Sequence, residues 1–130
     1  MQMLFQWDIG RDSPEQVRHL FWSNTRPAED EGLRAAADEL FTGTVGASEE
    51  IDRTIRACAE HWRMERIAVV ERNLLRMGTY ELLHHRETPA PVVINEALEI
   101  ARKYSGEESV QFINGILDHI RKDAERSTAA

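Results

Sequence analysis

Apolar residues recur at every third or fourth position through most of this chain, which is the spacing of an amphipathic α-helix. No segment alternates apolar and polar residues as a half-buried β-strand does. We therefore predict an all-α protein, a single compact helical domain of about six to seven helices over residues 1–126, with a disordered tail at 127–130. The clearest apolar face belongs to the last helix: Val110, Ile113, Ile116, Leu117, Ile120 and Ala124.

Helix boundaries in the first half follow from capping residues and prolines. Residues 1–7 have the pattern of the tail of a first helix, which ends near Gly10. The segment Ser13-Pro14-Glu15-Gln16 is typical of a helix start, because serine caps the helix, proline suits its first position and glutamine closes a capping box. From Ala28 to His61 the apolar spacing continues without a proline, so we predict one long helix there, although Gly43 and Gly46 could bend it.

Three further helices are predicted in the second half, at Val69–His85, at Val92–Tyr104 and from Ser105 to about Arg126. The prolines at 89 and 91 favour an extended connection before the second of these helices. Ser105 and Glu108 have the spacing of a capping box, which opens the last helix.

Helical geometry also assigns faces to polar residues. In the helix that contains Leu74, the buried stripe lies opposite Arg72, Arg76 and Thr79, which are therefore expected on the exposed side. Three other polar residues adjoin apolar positions and are interpreted as internal hydrogen-bonding residues: Glu81, Asn95 and Asn114.

Composition is that of an ordinary globular domain. Of 130 residues, 42% are hydrophobic and 30% charged, which is too apolar for a disordered chain. The one cysteine, Cys58, excludes an intramolecular disulfide and is interpreted as a small apolar helix residue. There is neither a stretch of about 20 apolar residues nor a basic-then-apolar leader, so we expect a soluble cytoplasmic protein with no membrane partner.

The formal net charge of −7 changes the expected partners. A protein that binds nucleic acid mainly by neutralising phosphates should carry basic patches. An acidic chain is better suited to a basic protein partner, because opposite potentials steer association. The charge therefore argues against strong binding of RNA or DNA by this chain alone.

No arrangement of residues indicates catalysis, a cofactor or a metal site. His84 and His85 are adjacent on a helix and point about 100° apart, so they cannot both face one ion without other ligands. The acidic pairs Glu49-Glu50 and Glu107-Glu108 fit surface and first-turn positions better than catalytic dyads. There is no glycine-rich phosphate loop. We predict a binding protein that is not an enzyme.

Two pairs of residues keep two interpretations each. Phe112 lies at the edge of the last helix's buried stripe, where it could stack on an unpaired base or pack under a neighbouring helix; periodicity alone favours packing. Phe5 is open to the same two interpretations. Glu65 and Glu71 could be favourable first-turn carboxylates or contacts to a basic partner.

Several ordered blocks in the second half give a further clue. They are Glu65-Arg66-Ile67, Val70-Glu71-Arg72-Asn73-Leu74-Leu75-Arg76-Met77, Tyr80-Glu81-Leu82-Leu83, Val92-Val93-Ile94-Asn95-Glu96-Ala97, Ser105-Gly106-Glu107-Glu108-Ser109 and Phe112-Ile113-Asn114-Gly115-Ile116-Leu117-Asp118. In this order the blocks resemble the NusB family of transcription antitermination factors, and the resemblance is strong from Trp62 to Ile120 and weak before residue 60. The opening Gln2-Met3-Leu4-Phe5-Gln6-Trp7 also looks like the family's first helix.

The resemblance implies an all-helical protein that binds boxA RNA together with the ribosomal protein NusE. Such proteins help RNA polymerase resist termination, notably on ribosomal RNA operons. By the same resemblance Glu71 is a contact to NusE, and Glu65 is a weaker candidate. The RNA face implied by the resemblance consists of Gln2, Phe5, Arg76, Glu108, Gln111 and Phe112.

One departure from the family pattern concerns the start of the chain. Family members usually carry an arginine-rich stretch before the first helix, whereas the first basic residue here is Arg11. Either the start lies upstream of Met1, or RNA affinity depends more on NusE. Two alternative functions remain: an RNA-binding accessory module of an rRNA cytosine methyltransferase, and a helical adaptor that binds protein only.

Overall fold

The computed structural model describes residues 2–10, 13–24, 31–59 and 67–129, and over these residues it contains seven α-helices and no β-strand. This confirms the predicted all-α fold. The helices are α1 (Gln2–Gly10), α2 (Pro14–Asn24), α3 (Glu31–Gly46), α4 (Ser48–Cys58), α5 (Val69–His84), α6 (Ala90–Tyr104) and α7 (Glu107–Ala129).

Helix α5 is central, since it packs against α1, α3, α4, α6 and α7. The apolar faces of α4 to α7 meet in one large cluster around α5, which we call the main core. Its buried side chains confirm the predicted apolar face of α7 from Val110 to Ile120. Members of the main core with almost no exposure are Ile51, Ile55, Leu74, Leu75, Ala101, Ile113, Leu117 and Ile120.

Helices α1 to α3 form a second, smaller cluster, which we call the minor core. Its buried members are Met3 and Leu4 from α1, Val17 from α2 and Phe41 from α3. Trp7 and Met77 pack against its edge, and Met77 belongs to α5. The minor core therefore lies against the same central helix. None of the described helices is long and apolar enough to cross a membrane.

The predicted long helix from 28 to 61 is wrong, because the chain turns at Ala47 and divides it into α3 and α4. Gly46, a weak helix former, precedes the turn. The two parts serve different cores: Phe41 of α3 is buried in the minor core, whereas Ile55 of α4 is buried in the main core.

Capping was predicted correctly at one helix start and wrongly at another. Ser13 Oγ accepts from the backbone N–H of Gln16 at 3.2 Å, and Gln16 Oε1 accepts from the backbone N–H of Ser13 at 3.3 Å, which confirms the first capping box. Ser105 instead ends α6, and Gly106 takes a φ of 148° before α7 begins. That backbone conformation favours glycine and displaces the predicted box of Ser105 and Glu108.

Three further boundaries and faces differ from the prediction. Helix α6 begins at Ala90, two residues before the predicted start, and has a proline in its first turn. Helix α7 continues to Ala129, past the predicted end at Arg126. The domain boundary at 126 stays a prediction. Asn95 and Asn114 are exposed, so their interpretation as internal residues is wrong. Among the asparagines whose side chains the structure describes, the buried one is Asn73, which accepts a hydrogen bond from Arg76.

Candidate nucleic-acid interface

The first two turns of α7 carry three of the predicted RNA-binding residues on one side. Glu108, Gln111 and Phe112 follow the spacing i, i+3 and i+4, which places them on the same face of a helix. Glu108 and Gln111 are exposed, whereas Phe112 is half-buried and packs against the main core. Phe112 therefore combines the two interpretations: it contributes to packing and leaves part of its ring accessible.

Helix α1 carries two more of the candidate residues. Gln2 and Phe5 lie on its exposed side, and Phe5 is 44% exposed. Ile9 extends the same face by one turn and is 55% exposed. Met3 and Leu4, on the opposite side, are buried in the minor core. The structure thus places these five candidates on two separate helices, α1 and α7, which both pack against α5.

Arg76 does not lie on an exposed face, so that part of the prediction is wrong. It is 7% exposed, and its Nε and Nη2 donate to Asp52 Oδ1 and Oδ2 at 2.9 and 3.1 Å. Its Nη1 donates to Asn73 Oδ1 and lies 3.1 Å from Asp8 Oδ2. A buried cation is tolerated only with such partners. An RNA contact by Arg76 stays a prediction, and it would require this network to open.

Asp8 joins α1 to α5 through two arginines. Arg72 donates to Asp8 Oδ2 from Nε at 2.8 Å, and its Nη2 lies 2.7 Å from the same oxygen. The guanidinium of Arg76 also lies 5.4 Å from the ring centroid of Trp7, a cation–π contact. Since α1 carries Phe5, this network fixes where the exposed aromatic ring stands. Arg76 is in this sense a positioning residue for the α1 face.

Glu71 lies in the first turn of α5 and is half-buried. Its Oε1 accepts a short hydrogen bond from the hydroxyl of Ser109 in α7. The predicted protein contact is therefore joined to the residue that follows Glu108, and the two predicted surfaces adjoin at the start of α7. Glu65, the weaker candidate for the protein contact, lies outside the described residues.

Two residues that the sequence reasoning did not single out stand near the same junction. Tyr104, at the end of α6, is 63% exposed, and Lys103 Nζ lies 5.4 Å from its ring centroid. An exposed ring beside a cation suits a base and its phosphate. The sequence feature that could have indicated them is an adjacent Lys-Tyr pair directly before a helix break.

The C-terminal end of α5 gathers titratable side chains. His84 Nε2 lies 3.5 Å from Glu50, whereas His85 Nε2 lies 3.4 Å from Glu39, so the adjacent histidines face different carboxylates. Burial raises the pKa of Glu81 and the nearby Glu96 raises it further, while His85 lowers it in part. At this end of α5, contacts between histidines and carboxylates join α5 to α3 and α4.

Comparison with known proteins matches this architecture. The model of the NusB family covers residues 1–122. The transcription antitermination protein NusB of Koribacter versatilis is 52% identical over 128 residues, which is 97% of this chain and 87% of that protein. The protein of the same name from Sorangium cellulosum is 42% identical over 126 residues, 97% of this chain and 89% of its own length.

Solved structures agree with the sequence comparison. NusB of T. maritima superposes with a TM-score of 0.83 at 36% identity, over 93% of this chain and 84% of that one. A chain in the crystal structure of the antitermination factors NusB and NusE with double-stranded RNA gives a TM-score of 0.82 at 27% identity, over 93% of this chain and 89% of that one. The family match, the close relatives and the shared helical architecture lead to one conclusion: this chain belongs to the NusB family.

Proposed function

We propose that this chain is a transcription antitermination factor that binds boxA-type RNA together with NusE and helps RNA polymerase resist termination, notably on rRNA operons. The observation that carries the proposal is the match over nearly the whole chain to proteins named transcription antitermination protein NusB. The factor acts by binding, in the cytoplasm where nascent RNA is made. Similarity to NusB in a complex with NusE and RNA supports both partners.

The start of α7 is the proposed RNA contact. Phe112 presents part of its ring while its other side packs on the main core, which gives a rigid stacking surface. Gln111 is exposed beside it and can exchange hydrogen bonds with a base edge. Glu108 is anionic and repels phosphate, so its place on the same face favours contact with base edges that donate hydrogen bonds.

NusE is the proposed protein partner at the start of α5. The net charge of −7 suits a basic protein, and Glu71 supplies one carboxylate at the edge of the RNA face. Ser109 orients that carboxylate by donating to Oε1, which leaves Oε2 for a partner's cation. Binding of NusE beside α7 would add positive charge where this chain has little, which explains why RNA binding should be stronger in the complex.

The test of the RNA contact uses two substitutions at one position. Phe112→Leu keeps most of the apolar packing and removes the aromatic face, whereas Phe112→Ala removes both. We expect each to weaken boxA binding by the complex with NusE by about 1–3 kcal/mol, measured by fluorescence anisotropy. Only the alanine variant should lose substantial thermal stability.

The matched control is Ile120→Ala, which removes a side chain buried in the main core on the same helix. It should lower the melting temperature and leave the RNA affinity of the folded protein unchanged. RNA binding equal to that of the unchanged chain in Phe112→Leu would overturn the stacking role. If the complex of the unsubstituted chain with NusE does not bind boxA RNA at all, the result favours an adaptor that binds protein only.

The NusE contact is tested by reversing one charge. Glu71→Lys should weaken the NusE complex by about 1–3 kcal/mol in titration calorimetry if the contact is desolvated. Glu99→Lys makes the same charge change on the exposed side of α6 and should have little effect. Equal affinities for both variants and the unchanged chain would show that Glu71 has no such role.

A further inference from the structure

Outside the proposed interface, the C-terminal ends of α4 and α7 bring together a thiol, an imidazole and a carboxylate. Cys58 ends α4, and His119 and Asp123 lie one turn apart on α7. One donor atom from each of the three side chains lies within 4.8 Å of the other two. Sixty residues of sequence lie between the cysteine and the histidine, so the three side chains form no short sequence motif.

The donor spacing is close to that of a tetrahedral metal site. His119 Nε2 lies 3.3 Å from Asp123 Oδ2. Zinc bonds to nitrogen and oxygen are about 2.0–2.2 Å long, so two such ligands at a tetrahedral angle stand about 3.4 Å apart. The imidazole and carboxylate therefore already have the required separation. The sulfur of Cys58 lies within 4.8 Å of both donor atoms, and rotation of the exposed His119 and Asp123 side chains can bring these closer to it.

The surroundings support the same assignment. Asp123 Oδ1 is 2.5 Å from Arg126 Nη2, so the arginine holds one carboxylate oxygen while the other stands beside the imidazole. Hydrogen bonds of this kind orient carboxylate ligands in metal sites. Cys58 packs partly against the main core, which fixes one ligand, and the exposed histidine leaves the opposite side open to water.

We propose that Cys58, His119 and Asp123 bind one zinc ion, with water as the fourth ligand. Sulfur and imidazole nitrogen are ligands that favour zinc over magnesium or calcium. On binding, the thiol releases its proton to solvent, and thiolate plus carboxylate balance the two positive charges of the ion. The site joins the end of α4 to α7. It stands apart from the proposed RNA face by about 10 Å along α7, since seven residues separate His119 from Phe112.

The experiment uses the full chain without an affinity tag, in a thiol-free reductant, with Co²⁺ as the spectroscopic probe and Zn²⁺ as its competitor. We expect one equivalent of Co²⁺ to give a thiolate-to-cobalt charge-transfer band and tetrahedral d–d bands, which Zn²⁺ abolishes. Zinc should also raise the melting temperature by about 5 °C at concentrations well above the dissociation constant.

Single substitutions assign the ligands. Cys58→Ser should abolish the charge-transfer band, and His119→Gln and Asp123→Asn should each weaken binding at least about tenfold. His84→Gln is the matched control, because that histidine also pairs with a carboxylate, at 3.5 Å from Glu50. It should bind cobalt as the unchanged chain does. The proposal is overturned by the absence of a saturable band, by unchanged binding in Asp123→Asn, or by half an equivalent of metal shared between two chains.

Discussion

The two halves of the molecule are held together in different ways. Helices α4 to α7 enclose the main core, in which side chains such as Leu75 and Ile113 have no exposure. Helices α1 to α3 enclose the minor core, and their attachment to α5 depends also on ion pairs, chiefly those of Asp8 with Arg72 and Arg76. A large, close-packed apolar core resists displacement of its helices, whereas a short helix that is held partly by ion pairs depends on keeping those pairs.

This difference bears on the proposed interface. The candidate RNA-binding residues of α7 lie on a helix that forms part of the main core, and Phe112 packs directly against that core. The candidate RNA-binding residues of α1 lie on a short helix whose position is set by the ion pairs of Asp8. Local opening draws on regions with few buried apolar contacts. We therefore expect the face carrying Phe5 to be the more adjustable of the two when RNA binds.

The largest effect should separate the two cores directly. Leu75→Ala, in the main core, should destabilise the protein by about 4–5 kcal/mol, because closely packed neighbours cannot collapse into the cavity. Leu4→Ala, equally buried in the minor core, should cost only about 2–3 kcal/mol, because fewer buried side chains surround it. Urea unfolding measures both changes. Equal losses would show that the two cores are equally rigid.

The next effect concerns the charged attachment of α1. Arg76→Ala should cost about 3–4 kcal/mol, since it leaves Asp8 and Asp52 partly buried without this partner. Arg121→Ala removes an arginine whose pair with Asp118 is more exposed, and should change the free energy of unfolding much less than Arg76→Ala does.

Hydrogen exchange should locate the damage. In Arg76→Ala, amides of α1 should lose protection while those of α6 and α7 keep it. Uniform loss of protection across all helices would contradict a separate attachment of α1. If Arg76 instead contacts RNA directly, its loss should weaken RNA binding and lower the salt dependence without exposing α1.

The sequence predicted the main core better than the attachments, for a physical reason. Helical periodicity reports which residues share a face, so the buried face of α7 from Val110 to Ile120 was predicted correctly. It could not predict that Arg76 is buried, because a buried cation depends on carboxylates from other helices: Asp8 from α1 and Asp52 from α4. The break at Ala47 was missed for a related reason, since the apolar spacing persists on both sides of it.

The candidate site divides in the same way. The resemblance implied that Glu108, Gln111 and Phe112 belong to one RNA face, and the structure brings the three together on one side of α7. The pairing of Glu71 with Ser109 joins residues that are distant in sequence, so no local pattern could predict it. The RNA and NusE roles of these residues stay predictions.

The smallest effect tests a close approach between the halves. A Cβ added at Gly43 in α3 would clash with the hydroxyl of Tyr80 in α5, whose ring contacts the rings of His84 and His85 in tilted arrangements. Gly43→Ala should therefore cost about 1–2 kcal/mol through overpacking. Gly46→Ala, on the same helix with no atom within 4 Å of the added carbon, should be neutral or stabilise by up to about 0.5 kcal/mol. The midpoints of urea unfolding measure both changes, provided that the dependence of the unfolding free energy on urea concentration stays the same. If the two alanine variants unfold at the same urea concentration, the Tyr80 side chain moves aside without cost, and α3 packs less tightly against α5 than the structure indicates.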